Sequence, residues 1–448
     1  MTDPSPAYDS LLKSLIETCE TAGATGADAR LSISEGVSVE VRGGVLENIE
    51  RAESRSVSLR CLFGQKQAHV SGADLSSDGL ETLAERCVAM ARAVPEDPYC
   101  GLADPEDLQT EVMDFDTDGD GVWDEDQMVE DARIAEATAL AVDGVQTVSN
   151  CGAGWSRTEI WLASTNGFSA GLSGSSSGLG LAVVAERDGK MERDYESRST
   201  RYREDRPGPE TIGQIAAERA VARLAPRKVA TQTSAVIYDR RVASSLISTL
   251  TGSISGPAIA RGVSFLKDRL GDQVFGEHIN IIDDPFRKRG FGSRAFDGEG
   301  RAVRKRAIIE NGVLGEWLLN GPSARQLGLK PNGYASMGFG DPPGVTTSNL
   351  YLEPGTDTPA ELMERVGKGL LVTDMFGPSI NPNTGDYSVG VSGFWFEGGE
   401  VAFPVSEVTI AGDLPGIYAR LQPASDLELR GTRDAPSILV QDMSIAGE

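Results

Sequence analysis

The hydrophobic pattern of this chain changes character at Pro226-Arg227-Lys228, and that change constrains the fold more than any other feature. Before it, apolar residues recur at helical spacing in several stretches that flank strand-like runs. After it, strands and tight turns dominate and helical periods are few. The expected architecture is α+β, with an N-terminal helix-and-β-meander domain over residues 1–228 and a C-terminal β-rich domain over 229–448. A chain of 448 residues is long enough for two such cores.

In the first part, Leu11, Leu12, Leu15, Ile16 and Cys19 share a helical face and predict a helix over 8–21. Residues 29–33, 37–42, 56–63 and 67–70 read as a β-meander broken by Gly-rich or polar turns. Leu80, Leu83, Cys87 and Ala91 predict a helix over 77–94, ended by Pro95. Further helices are expected over 124–142 and 210–224, with strands over 145–152, 158–163 and 178–187. In the second part, Asn311-Gly312 joins the runs 302–310 and 313–319 and signals a type I′ hairpin, whose central residues both need positive φ. Glu397-Gly398-Gly399-Glu400 joins 388–396 to 401–408. Residues 358–370 read as a surface helix, and 207–209 and 337–347 as loops.

Charge and cysteine usage narrow the function. The chain carries 42 basic and 67 acidic residues, a net charge of −25. Phosphate backbones are bound by clustered Lys and Arg, so this balance argues against nucleic acid as a partner, and an anionic membrane surface would repel the chain. No apolar run approaches the length of a membrane span. The opening Met1-Thr2-Asp3-Pro4-Ser5-Pro6 lacks the basic flank and apolar segment of a secretory signal, so the expected location is cytoplasmic. Cys19, Cys61, Cys87, Cys100 and Cys151 all lie in the first third without CxxC spacing, which suits reduced thiols.

Few residues suggest catalysis. His69 and His278 are the two histidines, so a three-histidine zinc site cannot be built. Gly174-Ser175-Ser176-Ser177-Gly178 matches GxSxG, but a nucleophile elbow needs a strand before the serine and a helix after it, and the neighbours here read as a flexible turn. The segment 116–127 begins DxDxDG. Asp116, Asp118 and Asp120 would supply oxygen ligands to calcium, with the Val122 carbonyl and Asp124. Gln127 stands where a bidentate Glu is expected, and the alternative is an acidic loop capping the helix that follows. Asp283-Asp284, Asp297 and Glu299 suit turns as well as acid–base pairs. There is no phosphate-binding glycine loop of the Walker or dinucleotide type.

An ordered set of segments in the second half carries a family likeness. They are Ser264-Phe265-Leu266-Lys267-Asp268-Arg269-Leu270-Gly271, Ile281-Ile282-Asp283-Asp284-Pro285, Gly292-Ser293-Arg294-Ala295-Phe296-Asp297-Gly298-Glu299-Gly300, Asn381-Pro382-Asn383-Thr384-Gly385-Asp386-Tyr387-Ser388 and Pro404-Val405-Ser406-Glu407-Val408-Thr409-Ile410-Ala411-Gly412. With them the chain resembles the TldD/PmbA family, and within it the PmbA (TldE) branch. The resemblance implies a zinc metallopeptidase built from two kinds of subunit around an enclosed cleft, with the zinc in the TldD-type partner on a HExxxH helix. An ungapped alignment back from Gly271 puts Ile247, Ser248 and Gly252 at the His, Glu and His slots, and no cysteine follows Cys151 to supply the further ligand the family uses. Isoleucine and glycine offer no side-chain ligand. The resemblance also places Asn381, Thr384, Asp386 and Tyr387 near the substrate cleft.

The function this implies is a subunit without catalytic residues of its own. It would pair with a TldD-type subunit, close the cleft and hold an extended peptide for degradation or maturation. No zinc is expected in this chain. The alternative is a self-associating, homodimeric peptide-binding or scaffold protein without peptidase activity.

Overall fold

β1 (Gly26–Arg42) is one continuous strand where the sequence suggested two. Its alternation keeps phase through Ser34-Glu35-Gly36, so Ala27, Ala29, Leu31, Val37, Val39 and Val41 all lie buried on one face. Gly36 is needed in passing: a Cβ there would stand 3.1 Å from the Trp155 carbonyl of the neighbouring strand. The computed structural model describes residues 6–111, 113–338 and 343–447. Residues 339–342 of the expected 337–347 loop, and the first residues inspected for a signal, fall outside these.

After α1 (Pro6–Thr21), β1 pairs with β2 (Val45–Phe63), and β3 (Lys66–Gly72) follows before α2 (Ser77–Ala93). Then come α3 (Glu125–Leu140), β4 (Val145–Ser164), β5 (Ser169–Arg187), β6 (Lys190–Thr200) and α4 (Pro209–Ala222). The strands form one antiparallel sheet in the order β3-β2-β1-β4-β5-β6. All four helices cover the same face. α1 and α2 pack on one end of β1 with β2 and β3, while α3 and α4 pack on the other end with β4 and β5. At the α3–α4 crossing Gly213 lies so close that a Cβ would stand 2.3 Å from the Ala135 carbonyl oxygen. Two expected strands, 145–152 and 158–163, are likewise a single strand, and the Gly/Ser tract at 174–178 is the middle of β5, not a turn.

The rest of the chain builds two further sheets. β7 (Gln232–Tyr238) leads into α5 (Arg240–Ser253) and the short α6 (Gly256–Ala260). β8 (Ile281–Asp283), β9 (Arg306–Glu310), β10 (Val313–Leu314), α7 (Gly321–Leu327), β11 (Leu350–Leu352) and α8 (Pro359–Val366) follow. The chain ends with β12 (Lys368–Ile380), β13 (Asp386–Glu397), β14 (Glu400–Asp413), α9 (Leu414–Arg420), β15 (Gln422–Pro423), β16 (Arg433–Asp434) and β17 (Ile438–Ala446). β14, β13, β12, β7 and β17 pair in that order, and β17 pairs back onto β14, closing a barrel that leaves these strands no long free edge. β10, β9, β8, β11 and β16 form a small sheet beside it.

The Asn311-Gly312 hairpin forms with φ of 49° and 78°, as type I′ geometry requires. Its arms are shorter than their apolar runs. The expected helix 358–370 stops at Val366 because Gly367 turns the backbone at φ 75°, and Lys368 then begins a barrel strand. The fold is α+β, with no helix among the described residues long and apolar enough to cross a membrane.

Candidate functional site

α5 lies across the barrel and carries Ile247, Ser248 and Gly252, the residues that the ungapped alignment sets at the metal-motif slots. Asp239 caps its start, accepting from the Arg241 N–H at 2.9 Å. Ala243, Leu246, Ile247 and Leu250 form its buried face, and Tyr418 donates to the Leu246 carbonyl from below at 3.3 Å. The outer face is rich in hydroxyls that fold back on their own helix. Ser248 donates to the Ser244 carbonyl at 3.0 Å and Thr249 to that of Ser245 at 2.9 Å. The helix ends at Ser253, whose carbonyl accepts from the Ser264 hydroxyl at 2.6 Å, and Pro257 opens α6.

The slots do not converge. Ile247 is wholly buried in apolar core, Ser248 is exposed, and Gly252 is exposed with open space where a Cβ would be. Zinc needs lone pairs from imidazole, thiolate or carboxylate aimed at one point. These residues do not fit it, and no group of three or more His, Cys, Asp or Glu among the described residues could hold a metal ion. Cys19, Cys61, Cys87 and Cys151 are buried in the helix-covered sheet.

The cleft candidates separate. Asn381, Thr384 and Asp386 sit exposed at the tip of the β12–β13 hairpin, where the turn satisfies itself: Thr384 donates to the Asp386 carboxylate at 2.6 Å, and the Gly385 N–H donates to the Asn381 carbonyl at 2.8 Å. Tyr387 turns inward and packs with Tyr238 and Tyr418 beneath α5, and burial pushes its phenol up to about 12. The tip is tied to the segment after α6 by the Phe265 N–H, which donates to the Pro382 carbonyl at 2.9 Å.

The acids of the DxDxDG segment also diverge. Asp116 accepts from the Tyr202 hydroxyl and from Arg289 Nε at 2.9 Å. Asp118 accepts from Ser173 at 3.0 Å and pairs with Arg157 at 3.3 Å. Asp120 accepts from the Arg203 N–H at 2.7 Å, and Asp124 caps α3 through the Gln127 N–H at 3.1 Å. Val122 is exposed. A calcium cage needs these oxygens turned toward one centre. Here arginines, a tyrosine, a serine and backbone donors each engage one of them.

The remaining acids shape the chain. Asp297 accepts the N–H groups of Glu299, Arg301 and Ala335 at 2.9, 3.0 and 3.1 Å, and Glu299 accepts that of Gly321 at 3.0 Å. Burial pushes the Asp283 carboxyl up to about 6 despite Arg294 nearby, and its Oδ1 accepts from the Ser348 N–H at 2.8 Å. His69 is partly buried in β3, and His278 is exposed.

A feature that sequence reasoning missed is a basic groove between the two halves of the molecule. One compartment, of about 260 Å³, lies over the start of α5 and is lined by Arg240, Arg241, Arg219, Arg430 and Arg433 among others. The adjoining compartment, of about 810 Å³, is lined by Arg201, Arg287, Lys288 and Arg289. They share Ser197, Glu428 and Arg430, and residues 195–201, spanning the end of β6, run along both. The signal was present as the run Arg287-Lys288-Arg289 in an otherwise acidic chain. The Gly/Ser tract of β5 serves this groove: a Cβ on Gly174 would stand 2.6 Å from the Arg201 guanidinium, which donates to the Ser175 carbonyl.

Comparison with known proteins accords with this architecture. Models of the PmbA/TldA metallopeptidase match in three parts: domain 1 over residues 27–91, the central domain over 121–224 and the C-terminal domain over 231–447. The chain is 33% identical over 425 residues to the metalloprotease PmbA of Escherichia coli O157:H7, covering 94% of this chain and 92% of that one. It is 33% identical over 433 residues to a PmbA homolog of Haemophilus influenzae, covering 96% and 94%. A crystal structure from Bacteroides thetaiotaomicron, described as a putative modulator of DNA gyrase, superposes with a TM-score of 0.91 at 24% identity over 99% of this chain and 100% of that one. TldE from Thermococcus kodakarensis does so with 0.87 at 18% identity, over 98% and 100%. These matches span nearly the whole chain, and the chain belongs to the PmbA/TldD family of metallopeptidases.

Proposed function

We propose that this chain is the subunit of a TldD/TldE-type zinc metallopeptidase that lacks the metal site, working in the cytoplasm beside a TldD-type partner that carries the zinc. The observation that carries this reading is α5: Ile247, Ser248 and Gly252 occupy the metal-motif slots and offer neither ligands nor a common direction. The contribution of this chain is to close the cleft and hold an extended peptide. The groove beside α5 supports that role, because β6 is the terminal strand of its sheet and pairs only with β5 among the described residues. An edge strand binds an extended chain through main-chain hydrogen bonds with little sequence selectivity.

The test is peptidase activity on an unstructured peptide, with zinc quantified, for this chain alone and mixed with a TldD-type protein. Activity and zinc confined to the mixture are the expected result. Cleavage by the purified chain alone with stoichiometric zinc would overturn the reading. A stable homodimer that binds peptide but gains no activity from the partner would favour a self-associating peptide-binding protein.

A further inference from the structure

We propose that the basic groove along β6 selects peptide segments rich in Asp and Glu, so that this chain sets a preference for acidic substrates. The inference rests on the peptide-holding reading above and deepens it.

Charge is the first argument. The two compartments are lined by ten Lys and Arg residues against four Asp and Glu, in a chain whose net charge is −25. Gathering cations in one groove costs self-repulsion, which an anionic occupant relieves. The acids present hold some of the arginines in place: Glu196 pairs with Arg198 at 2.7 Å and with Arg219, and Glu428 pairs with Arg240 and Arg430.

Other cations are left over. Arg201 donates only to the carbonyls of Ser175, Gly290 and Phe291, and its Nε is buried without a hydrogen-bond partner. Burial without a carboxylate in contact pushes this guanidinium down to about 10, a cost an incoming carboxylate would remove. Arg433 has a buried Nε without a partner, and neither it nor the exposed Lys288 forms an ion pair among the described residues. A guanidinium fork matches a carboxylate in geometry as well as in charge.

Shape is the second argument. β6 is an edge strand, and its residues 195–200 line the groove. An extended peptide laid there makes main-chain hydrogen bonds to β6 while its side chains reach the arginines on the opposite wall. A short acidic peptide carries a few charges into the groove, whereas a nucleic acid would bring a dense phosphate array against a strongly acidic surface.

Fluorescence anisotropy tests this with the full chain and two labelled unstructured peptides of equal length, one bearing Asp and Glu, the other Asn and Gln in their place. The acidic peptide is expected to bind about tenfold more tightly or better, with the advantage shrinking as salt is raised. Lys288→Glu combined with Arg433→Gln should erase the preference, and Lys330→Glu, at an exposed lysine outside the groove lining, should leave it unchanged. Equal affinity of the two peptides for the unaltered chain would overturn the inference while leaving the peptide-holding role intact, and needs no variant to fold. A preference that survives in the groove variant would overturn it too, as would a single-stranded oligonucleotide that displaces the peptide at lower concentration. If neither peptide binds, with or without a TldD-type partner, the underlying reading fails and this inference with it.

Discussion

Ile247 and Ser248 are neighbours in α5 yet meet different surroundings: the isoleucine is wholly buried against the barrel, while the serine is exposed and bonded to the carbonyl of Ser244. Gly252, four residues beyond Ser248, shares the outer face. Residues that would have to act on one ion are therefore divided between core and solvent.

Restoring the motif should not restore a site. Ile247→His with Ser248→Glu and Gly252→His is expected to bind less than stoichiometric zinc and to cleave no peptide. It should lose about 2–4 kcal/mol of stability, chiefly from an imidazole placed without a partner in apolar core. Elemental analysis and thermal melting would measure this. Stoichiometric zinc would show that α5 rotates readily and that its present packing is a weak constraint.

Two glycines should respond in opposite directions. Gly252→Ala puts a methyl into open space on a helix and should stabilise the chain by about 0.5–1 kcal/mol. Gly213→Ala drives a methyl against the Ala135 carbonyl at the α3–α4 crossing and should cost about 1–3 kcal/mol. Denaturant titration of both variants would check the pair, and a stable Gly213→Ala would mean that the two helices slide apart cheaply.

Periodicity located the helices because each one buries an apolar stripe, as Leu12, Leu15, Ile16 and Cys19 do in α1. It divided β1 and β4 and took the middle of β5 for a turn because glycine and serine inside a long strand look like turn residues until their neighbours are known: Gly36 in β1 and Gly174 in β5 are small because a carbonyl and a guanidinium come close. That Ile247, Ser248 and Gly252 bring no imidazole or carboxylate was plain from residue type, but that Ile247 faces inward depends on the barrel beneath it. The groove was hidden for the same reason. Arg201, Lys288 and Arg433 lie far apart in the chain, and the fold alone brings them to adjoining compartments of one groove.

The DxDxDG segment should behave as structure, not as a cation switch. Calcium is expected to leave the melting temperature unchanged, in the parent and in Asp118→Asn with Asp120→Asn alike. Asp116→Asn should lower it, since Tyr202 and Arg289 both hold that carboxylate, and the Tyr202 hydroxyl bond, with that of the Arg289 guanidinium, keeps it below the usual range. A calcium-dependent rise in melting temperature that disappears with Asp118 and Asp120 would show that the loop reorganises around the ion.

His69 should make the fold acid-sensitive. It stands beside Arg60 on β2, which in turn faces Asp28 on β1 and donates to it from Nε at 2.8 Å, so a histidine, an arginine and a carboxylate lie abreast on the sheet face away from the helices. Burial, with the charge of Arg60 added, pushes the imidazole from its ordinary 6.5 down to about 4. Below pH 6.5 the unfolded chain takes up a proton that folded His69 refuses until about pH 4, so stability is lost as pH falls through that window. At about 1.4 kcal/mol per unit the loss approaches about 3 kcal/mol. Asp283 works the other way. Its folded carboxyl keeps a proton up to about pH 6 that the unfolded chain gives up near 4, so its contribution declines as pH rises through the same range. The whole-protein curve therefore blends both, and the histidine is isolated by comparing the parent with His69→Gln, in which Asp283 cancels. Relative to the variant, the parent should lose about 2–3 kcal/mol between pH 7 and pH 4. A gap that stays constant across that range would mean that the imidazole titrates as it does in water, and that β3 opens to solvent in the folded protein.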